Sequence, residues 1–236
     1  MKFFFVLFLF STAALAETDP LSHKKGFVFG MGAAVSTYTF PADYDGLAKK
    51  DLDDKTTQYG GTLQLGYDQI LFQRLLLGVR TEGFIVDSLG MGNKENNKLI
   101  GKTRATNLLL RVGGIIHVRT FDVVGDPAPM TLEIFTEAGT TSGHRSFSKK
   151  YFSGTDQYID NLEEEFQGQV LSAGLCLTTL RGAYLEVKAQ RTSVSHTRQK
   201  FTGLKIENGG AAVSTDRTTN EEKNFTTFLM VVGHHF

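Results

Sequence analysis

The 236-residue sequence predicts an all-β fold: an eight-stranded antiparallel up-and-down transmembrane β-barrel. Three observations predict it. Apolar residues alternate with period two over long segments, the connections alternate between long and short, and charge in mid-strand keeps to one face. Composition agrees, because 25 Gly, 19 Phe and 7 Tyr against 4 Pro and no Trp suit a β-rich chain. At 41% hydrophobic and 21% charged the chain is not a disordered polymer, and no continuous apolar run approaches the roughly 20 residues a spanning helix needs. Lys+Arg and Asp+Glu cancel at 25 each, which argues against nucleic acid as the main partner.

Residues 1–16 read as a signal peptide. Met1-Lys2 gives a positive start, residues 3–10 an apolar run, and Ala14-Leu15-Ala16 the small-x-small site accepted by signal peptidase, so cleavage before Glu17 is expected. Beyond Lys25, period-two segments predict strands over 26–40, 57–69, 74–87, 104–119, 130–147, 166–179, 182–198 and 222–236. Each exceeds the about 9 to 11 residues with which a tilted strand crosses a bilayer. Connections 41–56, 88–103, 148–165 and 199–221 are long and polar, whereas 70–73, 120–129 and 180–181 are shorter. A meander with surface loops at one end and tight turns at the other produces that pattern. Pro20, Pro41, Pro127 and Pro129 fall outside the strands or at their margins, as expected where every interior N–H is needed for pairing.

Parity assigns the faces, since successive strand side chains point to opposite sides. Phe27, Phe29, Met31, Ala33 and Val35 oppose Val28, Gly30, Gly32, Ala34 and Ser36. Leu75, Leu77, Val79 and Ile85 oppose Arg80 and Glu82; Leu108, Leu110, Val112, Ile116 and Val118 oppose Asn107, Arg111 and His117. The same split sets Leu132, Ile134 and Ala138 against Glu133, Phe135 and Glu137, and Leu185, Val187 and Ala189 against Tyr184, Glu186, Lys188 and Gln190. A secreted carrier barrel turns such an apolar face inward around a ligand. A membrane barrel turns it outward to lipid. The apolar faces hold almost no mid-strand charge, and the opposite faces mix charge with Gly, Ala and Ser, as a narrow lumen filled by a few long side chains requires; the membrane barrel is therefore expected.

Phe228, Met230, Val232 and Phe236 share one parity in the last segment. This aromatic end preceded by alternating apolar positions resembles the terminal assembly signal of bacterial outer-membrane barrels. With the signal segment and the loop alternation, the mature chain resembles small eight-stranded bacterial outer-membrane β-barrel proteins of the OmpA/OmpX type. Two features depart from the pattern: His234 stands where an apolar residue is usual, and Trp is missing from the aromatic belts. Tyr38, Phe40, Tyr59, Tyr67, Phe72, Phe147 and Phe228 are the expected substitutes. The resemblance implies a Gram-negative outer-membrane location, insertion by the barrel assembly machinery, contact with outer-membrane lipid and lipopolysaccharide, a monomer, and a short periplasmic segment over 17–25. It is architectural and does not carry a function.

Arg80, Arg111 and Lys188 would face Glu82, Glu133, Glu137 and Glu186 inside the barrel. An eight-stranded lumen is just wide enough for side chains to fill, so near-balance predicts a plugged, salt-bridged interior. A small gated pore is the alternative use of the same charges. A second alternative rests on His144-Arg145-Ser146, which looks like the His-x-Ser element of outer-membrane lipid A deacylases, with Glu165 to orient the histidine. The acids Asp43, Asp45, Asp51, Asp53 and Asp54 lack the full EF-hand spacing and are interspersed with lysines; they read as a solvated loop, and no metal is expected. Gly30-Met31-Gly32 is an incomplete nucleotide fingerprint inside a strand, and no cofactor is expected. The one cysteine, Cys176, has no partner for an internal disulfide. The leading expectation is a non-enzymatic barrel with a structural or surface-interaction role exerted through its four long loops.

Overall fold

The computed structural model describes residues 24–39, 55–72, 74–88, 98–121, 127–153, 156–179, 181–206, 213–219 and 224–236. Their strands are β1 (Gly26–Thr39), β2 (Lys55–Leu71), β3 (Leu75–Asp87), β4 (Lys98–Phe121), β5 (Pro127–Ser153), β6 (Asp156–Thr179), β7 (Ala183–Ile206), β8 (Val213–Thr219) and β9 (Phe225–His235). All pair antiparallel in one sheet of order β6-β5-β4-β3-β2-β1-β9-β7-β8, and β6 also pairs with β7. That last pairing closes an eight-stranded barrel of β1 to β7 and β9. Closure leaves the barrel without an open edge, the condition for placing a sheet in hydrocarbon. β8 adds to the outer end of β7, from Gln199↔Thr219 to Lys205↔Val213, and lies outside the ring.

Strands β4 to β7 are longer than the alternation predicts, which corrects three of the expected loop boundaries. Residues 98–103 belong to β4, the expected loop 148–165 is occupied by β5 and β6 up to Ser153↔Asp156, and 199–206 continue β7. Gly143 to Ser148 and Asn161 to Phe166 keep the backbone ladder while their outward side chains turn polar. The hydropathy signal ends where the lipid would end, although the strand does not. At about 3.3 Å per residue, the 24 residues of β4 run far beyond an apolar band of about 25 Å. Pro127 and Pro129 stand at the start of β5, below Met130, where β6 has not yet begun to pair. A proline there has no β6 partner to deprive of a ladder bond.

Two tight turns carry backbone in the left-handed region, at Phe72 (φ 53°) and Gly182 (φ 83°). Gly182 N donates to Thr179 O at 3.0 Å and Gly182 O accepts from His235 N at 2.9 Å, so the turn is fixed on both sides. Gly182→Ala is expected to cost about 1 to 2 kcal/mol by forcing a Cβ into that conformation, read as a lowered urea midpoint of the folded barrel.

Burial decides which face is inside. Leu110, Leu171 and Ile134 are 66%, 63% and 54% exposed, and Met31, Leu77, Leu175, Val187 and Met230 are likewise open on the outer wall. Arg80, Glu82, Arg111, Glu133, Glu137, Glu186 and Lys188 are all buried within the barrel. Inward glycines make the space: a Cβ on Gly66 would lie 2.7 Å from Arg80 Cδ, and one on Gly174 would lie 2.7 Å from Lys188 Cβ. Small inward residues therefore let a narrow lumen hold long charged side chains. Phe147, expected among the outer aromatics, corrects that assignment: it shares inward parity with Arg145 and is buried. Tyr59, Phe72 and Phe228 do lie on the outside.

Candidate functional site

The lumen holds two ion-pair systems below a third. Near the tight-turn end, Asp68 of β2 bonds Arg80 of β3, and His235 Nε2 of β9 lies 3.1 Å from Asp68 Oδ2. In the centre, Arg111 of β4 reaches Glu133 (Nε to Oε1, 2.9 Å), Glu186 (Nη1 to Oε2, 2.7 Å) and Glu137 (Nη1 to Oε1, 3.4 Å). Lys188 Nζ of β7 lies 2.6 Å from Glu82 Oε2 and 2.9 Å from Glu137 Oε2. β3 and β7 stand four places apart in the eight-membered ring, so the Lys188 to Glu82 pair spans the full width of the lumen. Higher up, Arg145 Nη1 meets Glu164 Oε2 at 3.3 Å, with the guanidinium over the rings of Phe225 and Phe166.

Neutral groups add to the shell of these charges, while Asp68 Oδ1, Arg80 Nε and Arg111 Nη2 keep no hydrogen-bond partner among the described residues. Tyr184 donates its hydroxyl to Gln64 Oε1 at 3.2 Å, Asn107 Nδ2 donates to Glu82 Oε1 at 3.0 Å, and Ser172 donates to Glu137 Oε2 at 2.7 Å. Arg111 also stacks 3.4 Å from the Phe135 ring centroid. A charge inside a protein is tolerated when such bonds replace its hydration.

All seven lumen residues named from the sequence face inward. Four more ionised groups join them: Lys24, Asp68, Arg145 and Glu164. Asp68 and Arg145 carry the parity of Gln64 and Glu137, so extending the alternation along β2 and β5 reaches them. Lys24 has no such signal. It precedes β1, yet its side chain is buried with Nζ 3.1 Å from Glu133 Oε2. Counting these groups, buried cations number five and buried carboxylates six among the described residues, with His235 beside Asp68.

His144 lies opposite Glu165 in the β5–β6 register, whereas Ser146 lies opposite Glu163. His144 and Glu165 are exposed on the outer wall, and among the described residues no hydrogen bond joins His144, Ser146 and Glu165. Phe228, Met230, Val232 and Phe236 are exposed along the outer face of β9 and its end. Cys176 is a buried free thiol bonded at 3.6 Å to Thr178 Oγ1. Residues 1–16 and the acids between 43 and 54 lie outside the described residues.

The outer wall also carries a groove of about 1240 Å³ that runs across the strands from β2 to β7. It lies between two outward rows of the sheet. One row is Gly61, Ile85, Arg104, His144, Glu165 and Arg198; the other passes through Leu63, Gly83, Thr106, Ser142 and Gln167. Near its β7 end the ladder shifts register between Gln167 and Gly168.

No family model and no curated protein matches the chain. Among solved structures, it is similar to Ail, the attachment invasion locus protein of Yersinia pestis, at 12% identity over 90% of this chain and 99% of that one, with a TM-score of 0.47. A major outer membrane protein from Thermus thermophilus is 11% identical over 88% of this chain and 99% of that one, with a TM-score of 0.41. Both likenesses are weak in sequence and in superposition. On its own strand pairing and burial, the chain is a closed eight-stranded antiparallel β-barrel with an apolar outer wall and an ion-paired interior.

Proposed function

We propose that the protein is a non-enzymatic resident of the outer membrane whose lumen is plugged by its salt bridges and whose interactions take place at the end opposite the tight turns. One observation carries the plug: the Lys188 to Glu82 contact bridges opposite walls and is tied through Glu137 to Arg111. An ion passing this level would have to break charge pairs that span the lumen. The signal segment would deliver the chain to the periplasm, the aromatic end would engage the assembly machinery, and the tight turns would then face the periplasm. Strands β4 to β7 would carry polar surface well outside the bilayer, where partners are met.

Planar-bilayer recording on the folded monomer tests the plug. Wild type is expected to show no stable conductance, and Lys188→Met is expected to raise the frequency of brief openings. Large, steady wild-type conductance would establish a pore instead. Ser146→Ala is expected to leave the acylation of lipid A in expressing cells unchanged, because its hydroxyl contacts neither His144 nor Glu165. Mass spectra of extracted lipid A read this directly, and a change in acyl number between the two strains would restore the hydrolase reading.

A further inference from the structure

We propose that the β4 to β7 part of the groove binds the phosphorylated headgroup of an outer-leaflet glycolipid, the bis-phosphorylated disaccharide of lipopolysaccharide, with its acyl chains lying down the adjoining apolar wall. The inference rests on the outer-membrane reading and deepens it by naming a partner and a site. Its first support is position. The groove lies where the outer wall changes from Leu108, Leu110 and Leu171 below to Arg104, His144 and Glu165 above, which is the level of lipid headgroups.

Charge is the second support. Among the described strand side chains, outward cations are Lys102, Arg104, Arg191, Arg198 and Lys200, all on β4 and β7, against the carboxylates Asp87, Glu163 and Glu165. The described outward faces of β1, β2 and β9 hold no Lys or Arg. None of Arg104, His144, Glu165 and Arg198 makes an ion pair or side-chain hydrogen bond among the described residues, so both guanidinium groups are free to take an anion. Guanidinium is the side chain best matched to phosphate, since its fork donates two parallel bonds.

Spacing is the third. Arg104 and Arg198 occupy one cross-strand row, three strand intervals apart, or roughly 14 Å at 4.8 Å per strand. That span suits two phosphates at the ends of a disaccharide better than one phosphate on a glycerolipid. Between them stand His144, a further donor, and Glu165, a carboxylate opposite Arg198. Space is the fourth support: on β3, at the edge of this site beside Arg104, outward Gly83 has nothing within 4 Å of the position a Cβ would take, so the groove stays open beyond the Arg104 end.

Native mass spectrometry of the folded barrel in micelles, titrated with bis-phosphoryl lipid A, its dephosphorylated form or phosphatidylcholine, tests the site. Wild type is expected to retain bis-phosphoryl lipid A at 1:1. Arg104→Gln and Arg198→Gln are each expected to weaken it about tenfold, and the pair about a hundredfold. Gly83→Phe closes the β3 edge of the groove without touching a charge and is expected to weaken binding several-fold. Variant folding is checked by the heat-dependent shift in gel mobility. Equal retention of the dephosphorylated lipid, or of bis-phosphoryl lipid A by the folded double variant, would overturn the site alone. A chain that stays soluble without detergent and never folds in micelles would overturn the membrane reading beneath it.

Discussion

Arg111→Met is expected to lower the unfolding free energy of the barrel by about 3 to 5 kcal/mol, the cost of removing one partner from a buried ion system. Arg111 is the shared cation of Glu133, Glu137 and Glu186, and all three lie inside the barrel, away from solvent. Truncation leaves Glu186 with two long contacts of 3.5 Å, to Lys188 Nζ and Gln64 Nε2, and leaves Glu133 with Lys24. Methionine fills the hole beside Phe135 but offsets no charge. Urea titration in phosphatidylcholine vesicles reads the loss. Adding Glu186→Gln to Arg111→Met is expected to recover a substantial part of it, because the second change removes the stranded carboxylate. A loss under about 1 kcal/mol for the single variant would mean that water reaches these groups and that the lumen is hydrated.

Leu110→Arg carries the second large effect. Its side chain is among the most exposed of the large apolar ones, flanked across the ladder by Val79 and Ala138. In lipid, an arginine on this wall costs about 2 to 4 kcal/mol near the bilayer midplane and about 0 to 1 near the interfaces. Gln169→Arg, on the polar outer wall of β6, supplies the internal comparison and is expected to be close to neutral. The contrast between these two substitutions is what an apolar band of limited height produces. On a secreted barrel with a solvated outer wall, both substitutions would cost little.

Much of this is legible because a barrel in lipid writes a two-residue period into its sequence. The facing of Leu110 against Arg111, and of Val187 against Glu186 and Lys188, follows from parity once a strand is recognised. The upper halves of β5 and β6 are not legible for the converse reason. Between Gly143 and Phe166 the outward residues include His144, Ser146, Glu163 and Glu165, so polar residues stand on the outer face and the alternation fades. Backbone pairing there is set by continuity with the spanning ladder. From sequence the lumen network reads as seven residues, because parity places a charge on a face without identifying its partner. Diametric contacts such as Lys188 to Glu82 depend on strand order and closure. Lys24 is hidden for a different reason, since it enters the lumen from ahead of β1, where no period applies.

The groove is the least visible feature. Arg104, His144, Glu165 and Arg198 lie far apart in sequence and become one row only through three successive registers. His144 and Glu165 stand out in sequence as candidate chemistry, yet the same row supplies two arginines unpaired among the described residues, beside a depression that Gly83 of the next row leaves open. The arrangement suits holding an anion at the wall better than activating a serine.

The membrane-facing claim is tested most directly by single-tryptophan fluorescence, for which the chain is suited because it contains no native Trp. Leu110→Trp and Phe166→Trp, each refolded into vesicles, are compared with acyl-brominated and ordinary phosphatidylcholine. An outward residue at position 110 should emit in the blue and be strongly quenched by the brominated chains, while a residue at the inward position 166 should be quenched little. Blue emission at position 110 without bromine quenching would place Leu110 around an enclosed cavity and contradict the inside-out barrel.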